Sequence, residues 1–125
     1  MTAPSRGDVV RVSFPDDEDI PDEEFDGPHP AVVLQNDGLN ERKDTVVVIP
    51  VSSGSNADAL SEVKLQPGRD GVENESIAKL HQITTVSISE RIVEGYDDES
   101  AWKEGEVSAQ TLSNIENYLG YVLEI

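Results

Sequence analysis

Along most of its length this chain is a succession of short Val- and Ile-rich segments punctuated by Gly, Pro, Asp and Asn. Only the last segment changes to a helical period. That pattern restricts the chain to a sheet of many short strands finished by one helix. Residues 8–14 alternate, with Val10, Val12 and Phe14 on one face and Val9, Arg11 and Ser13 on the other, as in a half-buried strand. Residues 30–35 and 45–53 read as central strands, "SEVKLQP" as a short strand ended by Pro67, and residues 76–93 as two or three more. "NDGLNERKD", "SGSNADAL" and "GRDGVENE" read as turns or connections, and "EGYDDESAWKEGE" as a polar loop anchored by Trp102. In the tail, Leu112, Ile115, Leu119 and Val122 recur at helical spacing, which predicts a helix over about 108–123. Ser108 suits the N-cap, and Gly120 is expected to weaken the last turn or end it early. The expected fold is one mainly-β domain spanning residues 1–125, a small barrel with a C-terminal helix.

Composition bounds the setting. The 125 residues carry 26 acidic and 9 basic side chains, a net charge of -17. Residues 16–26 hold eight acids and no base, yet removing them still leaves 18 acids against 9 bases. Such a spread, with lysine sparse, reads as adaptation to a very salty cytosol rather than as a site for a basic partner or cation. At molar salt the Debye length falls to about 3 Å, and self-repulsion is largely screened. The acidic loop 15–28 contains three prolines and only Ile20 and Phe25 as apolar content, so residues 16–26 are expected to be mobile. Cysteine is absent, which fits a reducing cytosol and removes disulfides and Cys-based zinc sites. The start, "MTAPSRGDVV", has no apolar signal core. The longest apolar run, "VVVIPV", falls far short of the ~20 residues of a membrane helix. A cytoplasmic location is the expectation.

Five stretches occur in a fixed order: "RGDVVRVSFP", "GPHPAVVLQND", "TVVVIPVSS", "SIAKLHQITTVSISERI" and "GEVSAQTLSNIENYLGYVLEI". Together they resemble the MazF/PemK toxins, small ribonucleases of toxin–antitoxin pairs, over most of the chain. The resemblance implies an SH3-like small β-barrel of the MazF/PemK/CcdB type, usually a symmetric homodimer. It also implies a metal-independent endoribonuclease that cuts single-stranded RNA to 2′,3′-cyclic phosphate and 5′-hydroxyl ends, with a cognate antitoxin peptide as partner. DNA, membranes and cofactors have no place in that expectation.

Cleavage of this kind needs a base for the 2′-hydroxyl proton, an acid for the leaving 5′-oxygen and donors for the phosphate. The chain has two histidines, His29 and His81. His29 in "GPHPAVVL" stands where the family usually has arginine, so a fixed phosphate clamp is exchanged for a group that titrates near neutrality. Ser52 follows Pro50 and Val51 where the family usually has threonine, and it keeps a hydroxyl donor. His81 replaces the acid before Gln82, and Thr84 replaces a basic residue. His29 and Ser52 are the catalytic candidates, and Arg11, His81, Gln82 and Ser53 the supporting or RNA-binding ones. Each also has an ordinary reading: strand-end histidines on the surface, turn hydroxyls, and an Arg11 paired with a surface acid. Arg6, Lys79 and Arg91 are further phosphate-binding candidates without a spacing signal, and Arg91 in "SISERI" matches a basic residue common in the family, which the resemblance implies supports the fold rather than cuts RNA. A weakened toxin-fold module that binds an antitoxin, RNA or another protein without cleaving is the alternative. No "GxxxxGK" or "HExxH" motif is present, the acidic run lacks the spacing of a calcium loop, and basic patches interleaved with aromatics are absent.

Overall fold

The computed structural model describes residues 4–14, 27–57, 61–92 and 103–125. Among these residues seven strands form one antiparallel sheet: β1 Asp8–Phe14, β2 Gly27–Val33, β3 Thr45–Ser53, β4 Glu62–Leu65, β5 Ser76–Lys79, β6 Thr84–Ser87 and β7 Lys103–Glu106. Their order is β4-β5-β3-β2-β1-β7, with β6 also on β3. The long strand β3 is shared, its first half pairing with β6 and its second half with β5. Among the described residues three α-helices accompany the sheet: α1 Asp37–Arg42, α2 Ile88–Arg91 and α3 Ala109–Leu123. Among the described residues no helix is long and apolar enough to cross a membrane.

The central strands are covered on both faces. One core gathers Val9, Val32, Ile49, Val51, Val63, Leu65, Leu80, Val107 and Ile115. The other gathers Val10, Val12, Phe14, Ala31, Val33, Val46, Val48 and Val86. Val9, expected on an outward face with Arg11 and Ser13, is therefore fully buried. Strands buried on both faces need apolar residues at successive positions, and the pairs Val9–Val10, Val32–Val33 and Val48–Ile49 supply them.

Three expected loops or strands are replaced by other elements. "NDGLNERKD" forms α1 rather than a plain turn, because Asn36 accepts from Leu39 N–H (2.9 Å) and caps it. The residues that favour turns are also the residues that cap helices. The third stretch of 76–93 becomes α2, capped by Ser87 and tied at its start to Asp44, which accepts from Ser89 N–H (3.0 Å) and Ser89 Oγ (2.7 Å). Residues 103–106, expected within a polar loop, pair with β1. Segment 16–26, expected to be mobile, and Trp102, expected as a loop anchor, fall outside the described residues, whereas 27–28, expected in the loop, belong to β2.

Helix α3 starts where the sequence placed it. Ser108 accepts from Thr111 N–H (3.1 Å), and Ile115, Leu112, Leu119 and Val122 face the first core. Gly120 does not end it. The helix runs to Leu123, and Ile125 N–H returns to Gly120 C=O (3.0 Å) while Glu124 N–H returns to Tyr121 C=O (3.3 Å). This is a Schellman ending whose left-handed position (φ 56°) is held by a glutamate rather than a glycine. Glu124→Gly should therefore stabilise the protein by about 1 kcal/mol, read as a rise in Tm.

The strand ladder is open, since β4 and β7 do not pair among the described residues. The turn after β4 closes the curl instead. Gly71, in the left-handed region (φ 71°), lies against β7 so closely that a Cβ there would meet Glu106 N at 2.5 Å. A Cβ on Gly105 would meet Gly71 Cα at 2.6 Å. Both obstacles are backbone and cannot rotate away. Gly105→Ala should cost about 2–3 kcal/mol by overpacking, a fall in Tm on the order of 10 °C in thermal melts.

Candidate functional site

A proline pair opens the site. The β2–β3 ladder covers only Ala31–Val33 against Pro50–Val48. Leu34 N–H donates to Val47 C=O (3.0 Å), so alternate residues of β3, through Val51 and Ser53, turn their backbone groups toward β2. The next bonds in that series need N–H groups from residues 30 and 28, and both are proline. Continued past Ala31–Pro50, the register would set His29 across from Ser52. The ladder parts there instead, while β2 stays attached to β1 through Val12–His29 and Arg11–Pro30.

A cleft of about 180 Å³ occupies this gap. His29, Ser52, Ser53 and Arg11 all line it, together with Pro30, Val51, Glu73, Asn74 and Glu104. In the β1–β2 pleat His29 shares a face with Val12, and Arg11 shares the other with Pro30. The cleft lies where the sheet has come apart, so residues from both faces reach it. Ser52 is buried and Ser53 exposed.

Four of the six residues singled out from the sequence thus meet in one place. His81 and Gln82 do not line it. They lie in a 3-10 turn, Leu80–Gln82, between β5 and β6, with Gln82 Nε2 and His81 Nε2 3.4 Å apart. Arg6 is taken up by the fold, its guanidinium donating to Leu34 C=O and to Glu116. Arg91 sits in α2.

Sequence reasoning missed Glu104, Glu73 and Asn74. Arg11 forms an ion pair with Glu104. A bulge in the β1–β7 ladder brings this about: Val9 pairs with Gly105 and Val10 with Lys103, leaving Glu104 as the extra residue. The turn carrying Glu73 and Asn74 is fixed by Ser76 Oγ donating to Asn74 C=O (2.8 Å) and by the Gly71–Gly105 crossing. None of these links has a signal in the linear sequence. Among the described residues that line it, apart from His29, the cleft holds one cation and two carboxylates, not a basic cluster. Among the described residues no cluster of three His, Cys, Asp or Glu side chains is placed to hold a metal ion.

Behind the cleft, Asp70 is completely buried. It accepts from Gln66 N–H (2.8 Å), Ser108 N–H (3.0 Å) and the Arg69 guanidinium (3.0 Å). Burial pushes its carboxyl up, but the backbone donors Gln66 and Ser108, with Arg69 and the Thr111 hydroxyl, outweigh burial and hold it below the usual carboxylate range. Asp70 thereby fastens the start of α3 to the turn that forms one wall of the cleft.

No curated protein sequence matches the chain significantly. Solved structures do. A MazF from Deinococcus radiodurans superposes with a TM-score of 0.76 at 19% identity, covering 100% of both chains. A MazE–MazF complex from the same organism gives 0.71 at 21%, covering 100% of this chain and 99% of that one. An endoribonuclease bound to its cognate antitoxin, from a mycobacterial species, gives 0.69 at 22%, covering 98% and 97%. At these identities the likeness establishes the fold. The family is established by the match of residues 5–123: the chain belongs to the PemK-like, MazF-like toxins of type II toxin–antitoxin systems.

Proposed function

We propose that the protein is a growth-inhibiting endoribonuclease that cleaves single-stranded RNA without a metal, acting as a homodimer in the cytoplasm and restrained by a cognate antitoxin peptide. The observation that carries this reading is the cleft where the β2–β3 ladder parts, which gathers His29, Ser52, Ser53 and Arg11. In the reaction the 2′-hydroxyl loses its proton to a base, O2′ bonds to phosphorus, and O5′ leaves and takes a proton. The products are a 2′,3′-cyclic phosphate and a 5′-hydroxyl. His29 is the acid–base candidate for these two proton transfers. The Ser52 hydroxyl and the Arg11 guanidinium are donors for the charge on the phosphate. Two carboxylates beside Arg11 oppose an anionic substrate, and salt weakens phosphate contacts further. Binding must then draw on stacking and base-edge contacts with unpaired bases.

The test is incubation of a long single-stranded RNA with the protein in chelator and molar potassium chloride, followed by analysis of the ends. Cyclic-phosphate and 5′-hydroxyl ends are expected. Binding of RNA or antitoxin peptide with no cleavage at any salt concentration would replace this reading with that of a binding module.

A further inference from the structure

Arg11 and Glu104 come from strands at opposite ends of the chain, and their pairing depends on one inserted residue. Without the bulge, Glu104 would take an ordinary place in the β1–β7 ladder; with it, the residue is released from pairing and reaches Arg11 at the cleft. The bulge is itself held, because Gly105 beside it is pressed against Gly71 at a separation no side chain would permit. Glu104 is the more enclosed partner, with 23% of its side chain exposed against 42% for Arg11. The carboxylate is the more shielded member and the guanidinium the more open one. A guanidinium has five N–H donors in a planar fork, so one edge can hold a carboxylate while another meets a phosphodiester.

We infer that Glu104 is a positioning residue, which fixes the Arg11 fork so that its free edge addresses a phosphodiester in the cleft. This rests on the reading of the cleft as an RNA-cleaving site. Positioning and simple charge predict opposite effects on binding. Glu104 repels the substrate while it orients the arginine, so neutralising it should help binding and harm turnover.

The test uses the full-length Glu104→Gln variant, a near-isosteric change. Binding is read with a fluorescein-labelled single-stranded deoxyoligonucleotide, which has no 2′-hydroxyl and cannot be cut by this route. Turnover is read on the matching RNA. The variant is expected to melt like the parent, to bind the oligonucleotide about threefold more tightly at low salt, and to lose about tenfold or more in kcat. A kcat equal to the parent's, or a kcat and affinity that fall together, would overturn the inference. If the parent cleaves nothing, the proposed function fails, and a separate readout decides the positioning. The Arg11 Nε–H signal in a proton–nitrogen spectrum, assigned with Arg11→Lys, should be sharp in the parent and broadened in Glu104→Gln. Equal sharpness in both would overturn the inference.

Discussion

Replacing His29 with alanine is expected to lower the rate of RNA cleavage by about 10²–10⁴-fold, the usual contribution of a positioned acid or base. The protein should fold as before, because His29 is only half-buried and sits at the parted end of the β2–β3 ladder. Its backbone is held by β1 and by a proline on either side, each with φ fixed near -65°. A rigid backbone of this kind is what a proton-transferring side chain needs, since small misplacements are costly in rate. His29→Arg separates proton transfer from charge. An active arginine variant would assign His29 to stabilising the phosphate, and an inactive one, beside an active parent, would assign it to proton transfer. Equal activity of parent and alanine variant would remove His29 from the mechanism.

The largest effect on stability is expected at Asp70. Asp70→Ala leaves the Gln66 and Ser108 N–H groups without their acceptor in a buried place and frees the first turn of α3 from the cleft wall. At about 1–3 kcal/mol for each stranded donor, the loss should be roughly 3–5 kcal/mol, a fall in Tm on the order of 10–15 °C. The pH dependence has a definite sign. The folded-state pKa lies below the ordinary 3.8, so the stabilisation is complete above that value and is lost as pH falls through the folded pKa. Asp44, held down by Ser89 and Ser87, and Glu106, held down by Lys103, act in the same direction. Denaturant titrations between pH 6 and 2 should show stability declining below about pH 4. In Asp70→Asn the decline should be shallower, and an unchanged slope would exclude Asp70 as a contributor.

Most strands and the terminal helix were legible from strong local causes, among them β-branched runs for β2 and β3 and a 3-4-3 spacing with a serine cap for α3; β7 was not, since its Lys, Glu and Gly residues read as a polar loop and only pairing with β1 makes them a strand. The family was legible too, and His29, Ser52, Ser53 and Arg11, singled out from the sequence as candidates, line one cleft. Helices α1 and α2 were not, because Asn36 and Ser87 serve turns and helix caps equally well in sequence and only the hydrogen bond to Leu39 or Glu90 decides. The burial of Val9 was hidden by Arg11 and Ser13, whose alternation suggests a wet face that the start of the strand does not have. Glu104 and Glu73 were beyond reach for a different reason. They enter the site through a bulge and a glycine–glycine crossing, long-range contacts that leave no periodicity behind.

The proline pair around His29 also sets a limit on how this fold can be improved. Residues with backbone N–H groups at 28 and 30 would let β2 and β3 zip together past Ala31, lengthening the sheet and burying the slot between His29 and Ser52. Every added rung would make the molecule harder to unfold and the slot harder to enter. Substitutions chosen for thermal robustness alone would therefore drift toward a sealed sheet, and the prolines act as wedges that hold the cleft open.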